Sequence, residues 1–220
     1  MLDVLRANLP YLLKGAGYTV ALASVTISLG LVTGVGLGIV SALAPKPLRL
    51  VVAAYVFVVR GLPVLIVVFL FYYVPPAFGL ELDTYVAAGF ALVCYGAAFV
   101  AEITRGAIEA TPRGQIDAAR SLGLRWPVTL RLIVLPQALR FSAAPLLNNT
   151  IMSIKVTSYA SVVGAWELTY AAREVVERTL AAFEIFAGVM LIYFVLCFPL
   201  SLIADGIERR VAGPIRGPLG

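Results

Sequence analysis

Apolar residues run along this chain in blocks too long for a small soluble core and without the polar alternation of a half-buried strand. Five blocks stand out: Gly17 to Ala44, closed by Pro45; Val51 to Val74, interrupted at Arg60-Gly61-Leu62-Pro63; Thr84 to Ile103; Phe141 to Gly164; and Ile185 to Ile207. Each is near the roughly 20 residues that an α-helix needs to cross the hydrocarbon of a bilayer. Lipid offers no partner to a free amide or carbonyl, so the blocks are predicted to be helices. The expectation is an all-α membrane protein with five transmembrane helices. One domain is expected over residues 1–220, with a core at about 15–208.

The residues between the blocks orient it. Lys46 and Arg49 follow the first block. Arg105, Arg113, Arg120, Arg125, Arg131 and Arg140 lie between the third and fourth, and Arg209, Arg210 and Arg216 follow the fifth. The opposite loops carry Glu81 and Asp83, then Glu167, Arg173, Glu174, Glu177 and Arg178. Basic residues crowd one side, which the positive-inside rule makes cytoplasmic. The N-terminus is expected outside and the C-terminus inside, consistent with an odd number of spans. Arg6 and Lys14 precede an apolar stretch longer than a signal-peptide core, so no cleavable leader is expected.

Composition narrows the function. The chain is 61% hydrophobic and 13% charged, against about 25% charged in ordinary soluble domains, so lipid is its natural solvent. It has no histidine, which removes Ser-His-Asp and Cys-His triads, HExxH zinc sites and histidine-ligated haem. Cys94 and Cys197 sit alone in apolar runs, where packing is the simplest role. No catalytic residue, metal or cofactor is expected. No GxxxxGK[ST] occurs, so the chain does not hold ATP in a P-loop. The net charge of +5 belongs to loops flanking spans and reads as topology rather than nucleic-acid binding. Gly30, Gly34 and Gly38 share one face of the first span and allow close helix approach, either within the chain or at a subunit interface.

Residues 106–140 form a long cytoplasmic segment for so small a membrane protein. Thr111 can cap a short helix, with Pro112 in its first turn. Ile116, Ala119 and Leu122 have helical spacing, and Gly123 can end the helix. A second turn is predicted near Trp126-Pro127. The result is a short helix lying on the membrane surface, either docking a partner or holding lipid headgroups.

The spacing of this segment resembles the "EAA" loop of the binding-protein-dependent ABC permeases: Glu-Ala-Ala, three residues, Gly, nine residues, Ile-x-Leu-Pro. Here stand Asp117-Ala118-Ala119, then Gly123, then Ile133-Val134-Leu135-Pro136. Only Asp117 departs, keeping the charge on a shorter side chain. Further segments resemble the polar amino-acid branch of the histidine/glutamine type. They are Arg60-Gly61-Leu62-Pro63-Val64-Leu65, Ala101-Glu102-Ile103-Thr104-Arg105-Gly106, Leu146-Leu147-Asn148-Asn149-Thr150 with Ser153, Lys155, Thr157 and Ser158, and Gly164 to Thr169. Together they cover about residues 15–208.

The resemblance implies a coupling helix that docks on a cytoplasmic ATPase. Asp117, Ala118, Ala119, Arg120, Gly123, Ile133, Leu135 and Pro136 are its candidate residues. It also implies partners: two ABC ATPase subunits, a second permease subunit (a copy or a relative) and a periplasmic solute-binding protein. The cargo would be a small polar amino acid, or a related solute such as an opine. The chain would sit as a multi-pass protein in a bacterial inner membrane, in contact with lipid.

Polar groups at membrane depth are costly and face a cavity or one another. Span four concentrates Asn148, Asn149, Thr150, Ser153, Lys155, Thr157 and Ser158. Two readings stay open. In one, Asn149, Ser153 and Lys155 meet the polar ends of an amino acid, Lys155 attracting its α-carboxylate. In the other, Asn and Ser bond neighbouring helices and Lys155 pairs with an acid such as Glu102. Asn148 and Ser153, five positions apart, do not share one narrow face. Val156 stands where many relatives carry an acidic or amide residue, which disfavours basic cargo. Arg60 either lies in the pathway, beside a helix opened by Gly61 and Pro63, or snorkels to the cytoplasmic surface. Glu102 and Arg105, three apart, can pair locally. A self-contained ion-coupled transporter is the main alternative, although no internal repeat or acid-rich span supports it.

Overall fold

The structure is a computed structural model that describes residues 2–211; Arg216 lies outside the described residues. Regular structure among these residues is helical: α1 (Leu2–Leu43), α2 (Lys46–Gly61), α3 (Val64–Tyr73), α4 (Thr84–Glu109), α5 (Arg113–Ser121), α6 (Trp126–Thr129), α7 (Leu135–Val156), α8 (Leu168–Thr179) and α9 (Ala182–Val211). Four helices are long and apolar enough to cross a membrane, and a bent pair is a candidate for the fifth.

That pair is α2 and α3, bent by 106° where the sequence reads Arg60-Gly61-Leu62-Pro63. Pro63 has no N–H to continue the ladder, and it drives the residue before it out of helical geometry. Leu62 is accordingly extended (φ −95°, ψ 142°). The two halves then serve different layers. Val52 and Val56 of α2 pack on Ala101 of α4, whereas Val67 and Val68 of α3 pack on Ala88 and Ala91 near its start.

The first span differs from the expected one. The helix begins at Leu2, not near Gly17, and its 42 residues extend over ~63 Å, about twice the hydrocarbon thickness. The extra turns are not idle. Leu12 and Ala16 join Leu168, Ala172 and Val175 of α8 and Ile185 and Val189 of α9 in one buried cluster. Hydropathy missed this because Asp3, Arg6 and Lys14 dilute the apolar signal, although helix propensity does not stop there.

The Gly30-Gly34-Gly38 face packs inside the chain, against α4. A Cβ on Gly34 would stand 2.5 Å from the Val100 Cβ and 2.7 Å from the Ala97 carbonyl oxygen; on Gly38 it would stand 2.5 Å from the Thr104 Cβ. At the start of α4 the Asp83 carboxylate accepts from the Tyr85 amide at 2.8 Å, capping the helix.

The fourth span also starts earlier than predicted. Trp126 to Val163 is one 38-residue helical run, so Ile133, Leu135 and Pro136 sit in its base and not in a loop. Within it, Leu130–Val134 is wound as a π-turn. Pro136 explains the widening: its ring collides with the carbonyl four residues back and it donates no N–H.

Candidate functional site

Two regions have the geometry for function. The first is the surface helix α5. It does not begin as expected. Thr111 gives no cap; its buried hydroxyl has no partner, and Pro112 is the capping residue. It ends as expected, on Gly123 with φ +73°. The Gly123 amide donates to the Arg120 carbonyl at 2.9 Å and the Leu124 amide to the Ala119 carbonyl at 3.0 Å, the double closure of a Schellman motif.

The two faces of α5 are unequal. Ala119 is 2% exposed and Ile116 packs against Ala107, Ile108, Val134 and Ala138, so this side is bolted to the ends of α4 and α7. Leu122, from the same predicted stripe, is instead 79% exposed, next to exposed Asp117, Ala118 and Arg120. The Arg120–Asp117 pair, at 3.8 Å on the surface, holds little energy and leaves both groups open to a partner. Ala119 therefore fits the helix to its own chain, and of the alanine pair only Ala118 is open to another. Gln137, in the first turns of α7, donates to the Gln115 side chain and, at 2.8 Å, to the Ile133 carbonyl. Sequence spacing gave no signal for this strut, because it joins two helices 22 positions apart.

The second region lies around α7, whose polar residues separate onto different sides. Asn149 and Ser153, four apart, line a cavity of about 150 Å³ between α1, α4 and α7, with Thr26, Tyr95 and Val156. Lys155, about 200° around the helix from Ser153, opens with Ser158 into a groove of about 580 Å³ beside Thr169, Tyr193 and Cys197. Asn148 is exposed. Thr157 is fully buried, its hydroxyl donating to the Ile154 carbonyl at 2.7 Å, which makes it a packing residue. The hydroxyls of Thr150, Ser153 and Ser158 also donate to carbonyls of their own helix rather than to neighbouring helices.

Glu102 does not pair with Lys155. It binds Arg105 at 2.6 Å, and Arg60 stands 3.7 Å from it and over the Phe99 ring. Among the described residues Lys155 forms no ion pair. Arg60 lines a third cavity, between α2 and α4.

Sequence reasoning passed over Glu167 as a loop charge. It is fully buried. One carboxylate oxygen accepts from the Thr169 and Tyr170 amides at 2.7 and 3.0 Å, capping α8. The other accepts from Thr19 of α1 at 3.0 Å and Tyr193 of α9 at 3.3 Å. Gly164, with φ +94°, turns the chain into this lock. Burial pushes the Glu167 carboxyl above the usual carboxylate range, against the pull of its donors. A raised folded-state pKa means that the folded protein prefers the protonated form. The associated stability is present below about pH 4.5, the ordinary value, and is lost as pH rises through the folded value. Thermal unfolding of wild type is therefore expected to lose stability over that rise relative to Glu167→Gln, which lacks the titration. Equal slopes in the two proteins would contradict the assignment. Glu167→Ala, which removes the cap, is expected to cost about 1–3 kcal/mol at low pH and less once the wild-type carboxyl ionises.

The family of binding-protein-dependent transport system inner membrane components matches residues 34–213. The L-cystine transport system permease protein TcyB of Bacillus subtilis is 37% identical over 207 residues, covering 92% of this chain and 87% of its own. The probable glutamine ABC transporter permease protein GlnM of the same organism is 34% identical over 209 residues, covering 95% and 97%. The crystal structure of an amino acid ABC transporter with histidines superposes with a TM-score of 0.88 at 31% identity, covering 94% of this chain and 96% of that one.

Proposed function

Because this chain belongs to the binding-protein-dependent transport system inner membrane components, we propose that it forms the membrane pathway for a polar amino acid. It is a multi-pass inner-membrane subunit of an ABC importer, with ATP hydrolysed elsewhere in the assembly. The observation that carries the cargo reading is the kinship with permeases named for glutamine and cystine, over nearly the whole chain. The ion-coupled alternative is not favoured.

The proposal assigns three tasks. The exposed face of α5, with Asp117, Ala118, Arg120 and Leu122, docks on an ATPase subunit at the cytoplasmic side. The buried face, with Ala119, and the base of α7, with Ile133, Leu135 and Pro136, carry the movement of α5 into the span. The N-terminus then lies outside and the C-terminus inside, which the crowding of arginines on one side supports. A second permease subunit completes the pathway, and a periplasmic binding protein delivers the cargo. The cavity under Asn149 and Ser153 is one part of the pathway that this subunit supplies, and the groove of Lys155 is another. Lys155, with no carboxylate partner among the described residues, is placed to attract an α-carboxylate from the α9 groove.

Uptake of labelled glutamine and cystine by proteoliposomes containing the assembled importer, its binding protein and ATP tests the reading. Transport that needs only an ion gradient would overturn it. Within it, Asn149→Leu is expected to lower the apparent affinity roughly two- to tenfold, the worth of a neutral hydrogen bond. Lys155→Met is expected to lower it tenfold or more, as fits a charge-assisted contact. Unchanged uptake by a normally assembled Lys155→Met protein would take Lys155 out of the pathway.

A further inference from the structure

The cavity between α2 and α4 is chemically unlike the other two. It has a volume of about 620 Å³ and is lined by Lys46, Arg49, Arg60 and Arg105 and by a single carboxylate, Glu102. That carboxylate is already engaged. Arg105 holds it at 2.6 Å and also holds Glu109 at 2.6 Å, while Arg60 reaches it only at 3.7 Å. Lys46 and Arg49 form no ion pair among the described residues. The cavity thus has a surplus of positive charge, to which the N-terminal end of α2 adds its partial charge.

Its shape follows from α2. Lys46, Arg49, Ala53, Val56 and Arg60 recur at helical spacing and line the cavity along one stripe. From Lys46 to Arg60 the stripe climbs ~21 Å, from the end of the apolar span into the layer of acyl chains. Leu50 and Phe57, 59% and 83% exposed, complete the wall. Cations at the membrane surface above an apolar wall match an anionic headgroup with its chains below. A zwitterionic amino acid matches poorly, since its ammonium would meet cations and no free carboxylate along the stripe.

We propose that this cavity binds the phosphate of an anionic phospholipid headgroup. Lys46 and Arg49 contact the phosphate, and the acyl chains lie along Leu50 and Phe57. The site rests on the orientation given above only for which leaflet supplies the lipid.

The test uses the importer complex in nanodiscs of phosphatidylcholine and phosphatidylglycerol, with retained lipid counted by native mass spectrometry. Wild type is expected to keep phosphatidylglycerol. Each basic residue at an anionic surface contributes roughly fivefold in affinity, so Lys46→Gln with Arg49→Gln is expected to lower retention by about twenty-five-fold. The charge-preserving pair Lys46→Arg with Arg49→Lys is expected to retain the lipid, separating charge from misfolding. Arg209→Gln with Arg210→Gln removes equal charge from another cytoplasmic-side segment and is expected to retain it too. An equal loss in both double variants, or a loss in neither, would overturn the proposal. So would inorganic phosphate displacing the lipid at parity, which would mark a free-phosphate site. Dissociation of the permease pair by Lys46→Gln with Arg49→Gln at unchanged lipid retention would mark a contact with a second copy, and would overturn it as well.

Discussion

Gly34→Ala is expected to destabilise the folded permease, although the same change on an open helix face would stabilise it. Alanine is the better helix former by about 1 kcal/mol. At Gly34, however, the new Cβ would meet the Val100 Cβ at 2.5 Å and the Ala97 carbonyl oxygen at 2.7 Å. The carbonyl belongs to the α4 backbone and cannot swing aside, so the two helices must part. Overpacking of this kind costs about 1–3 kcal/mol, and Gly38, whose Cβ would stand 2.5 Å from the Thr104 Cβ, leaves the same face little slack one turn on. Gly36 supplies the contrast, because its Cβ would meet nothing within 4 Å. Gly36→Ala is expected to hold or raise the unfolding temperature in detergent, and Gly34→Ala and Gly38→Ala to lower it. Shifts of the same sign at Gly34 and Gly36 would show that α1–α4 contact is not what these glycines serve.

Leu122→Asp is expected to abolish transport while leaving the permease folded. Leu122 is 79% exposed at the end of α5, where no contact among the described residues explains a large apolar side chain. Burying a leucine on binding is worth about 1.5–3 kcal/mol. Its loss alone therefore weakens the ATPase complex by about ten- to hundredfold. A buried aspartate adds the cost of desolvating a charge. Ala118→Arg, on the same face, is expected to act in the same direction through bulk. Ile116→Asp tests the opposite face: it strikes the cluster that anchors α5 to α4 and α7, and is expected to lower stability of the permease itself. Co-purification of the ATPase with the permease, together with uptake, reads the difference. Normal co-purification and uptake by Leu122→Asp would move the docking face elsewhere.

The division between the two faces of α5 shows what the linear pattern carried. Spacing located a helix before Gly123, since a left-handed residue must close it and glycine adopts that conformation without strain. Spacing also put Ile116, Ala119 and Leu122 on one stripe. Which side that stripe met depended on the ends of α4 and α7, and these split it: Ala119 turned inward and Leu122 outward. Span four repeats the lesson. Its polar residues were plain in the sequence, but Asn149 and Lys155 look into different spaces because different helices stand beside them.

Sequence by itself determined the features that depend on neighbours along the chain. These are the apolar lengths that require membrane helices, the break at Arg60-Gly61-Leu62-Pro63, the glycine face of α1, and the motif spacing that pointed to the permease family. Tertiary structure alone decided the features that depend on residues far apart: the extension of α1 onto α8 and α9, the burial of Glu167 between Thr19 and Tyr193, the approach of Arg60 to Glu102, and the basic cavity beside α2. The physical reason is range. Hydrogen bonding within a helix and transfer into lipid are settled within a few turns, whereas the partner of a buried charge is set by which helices pack together.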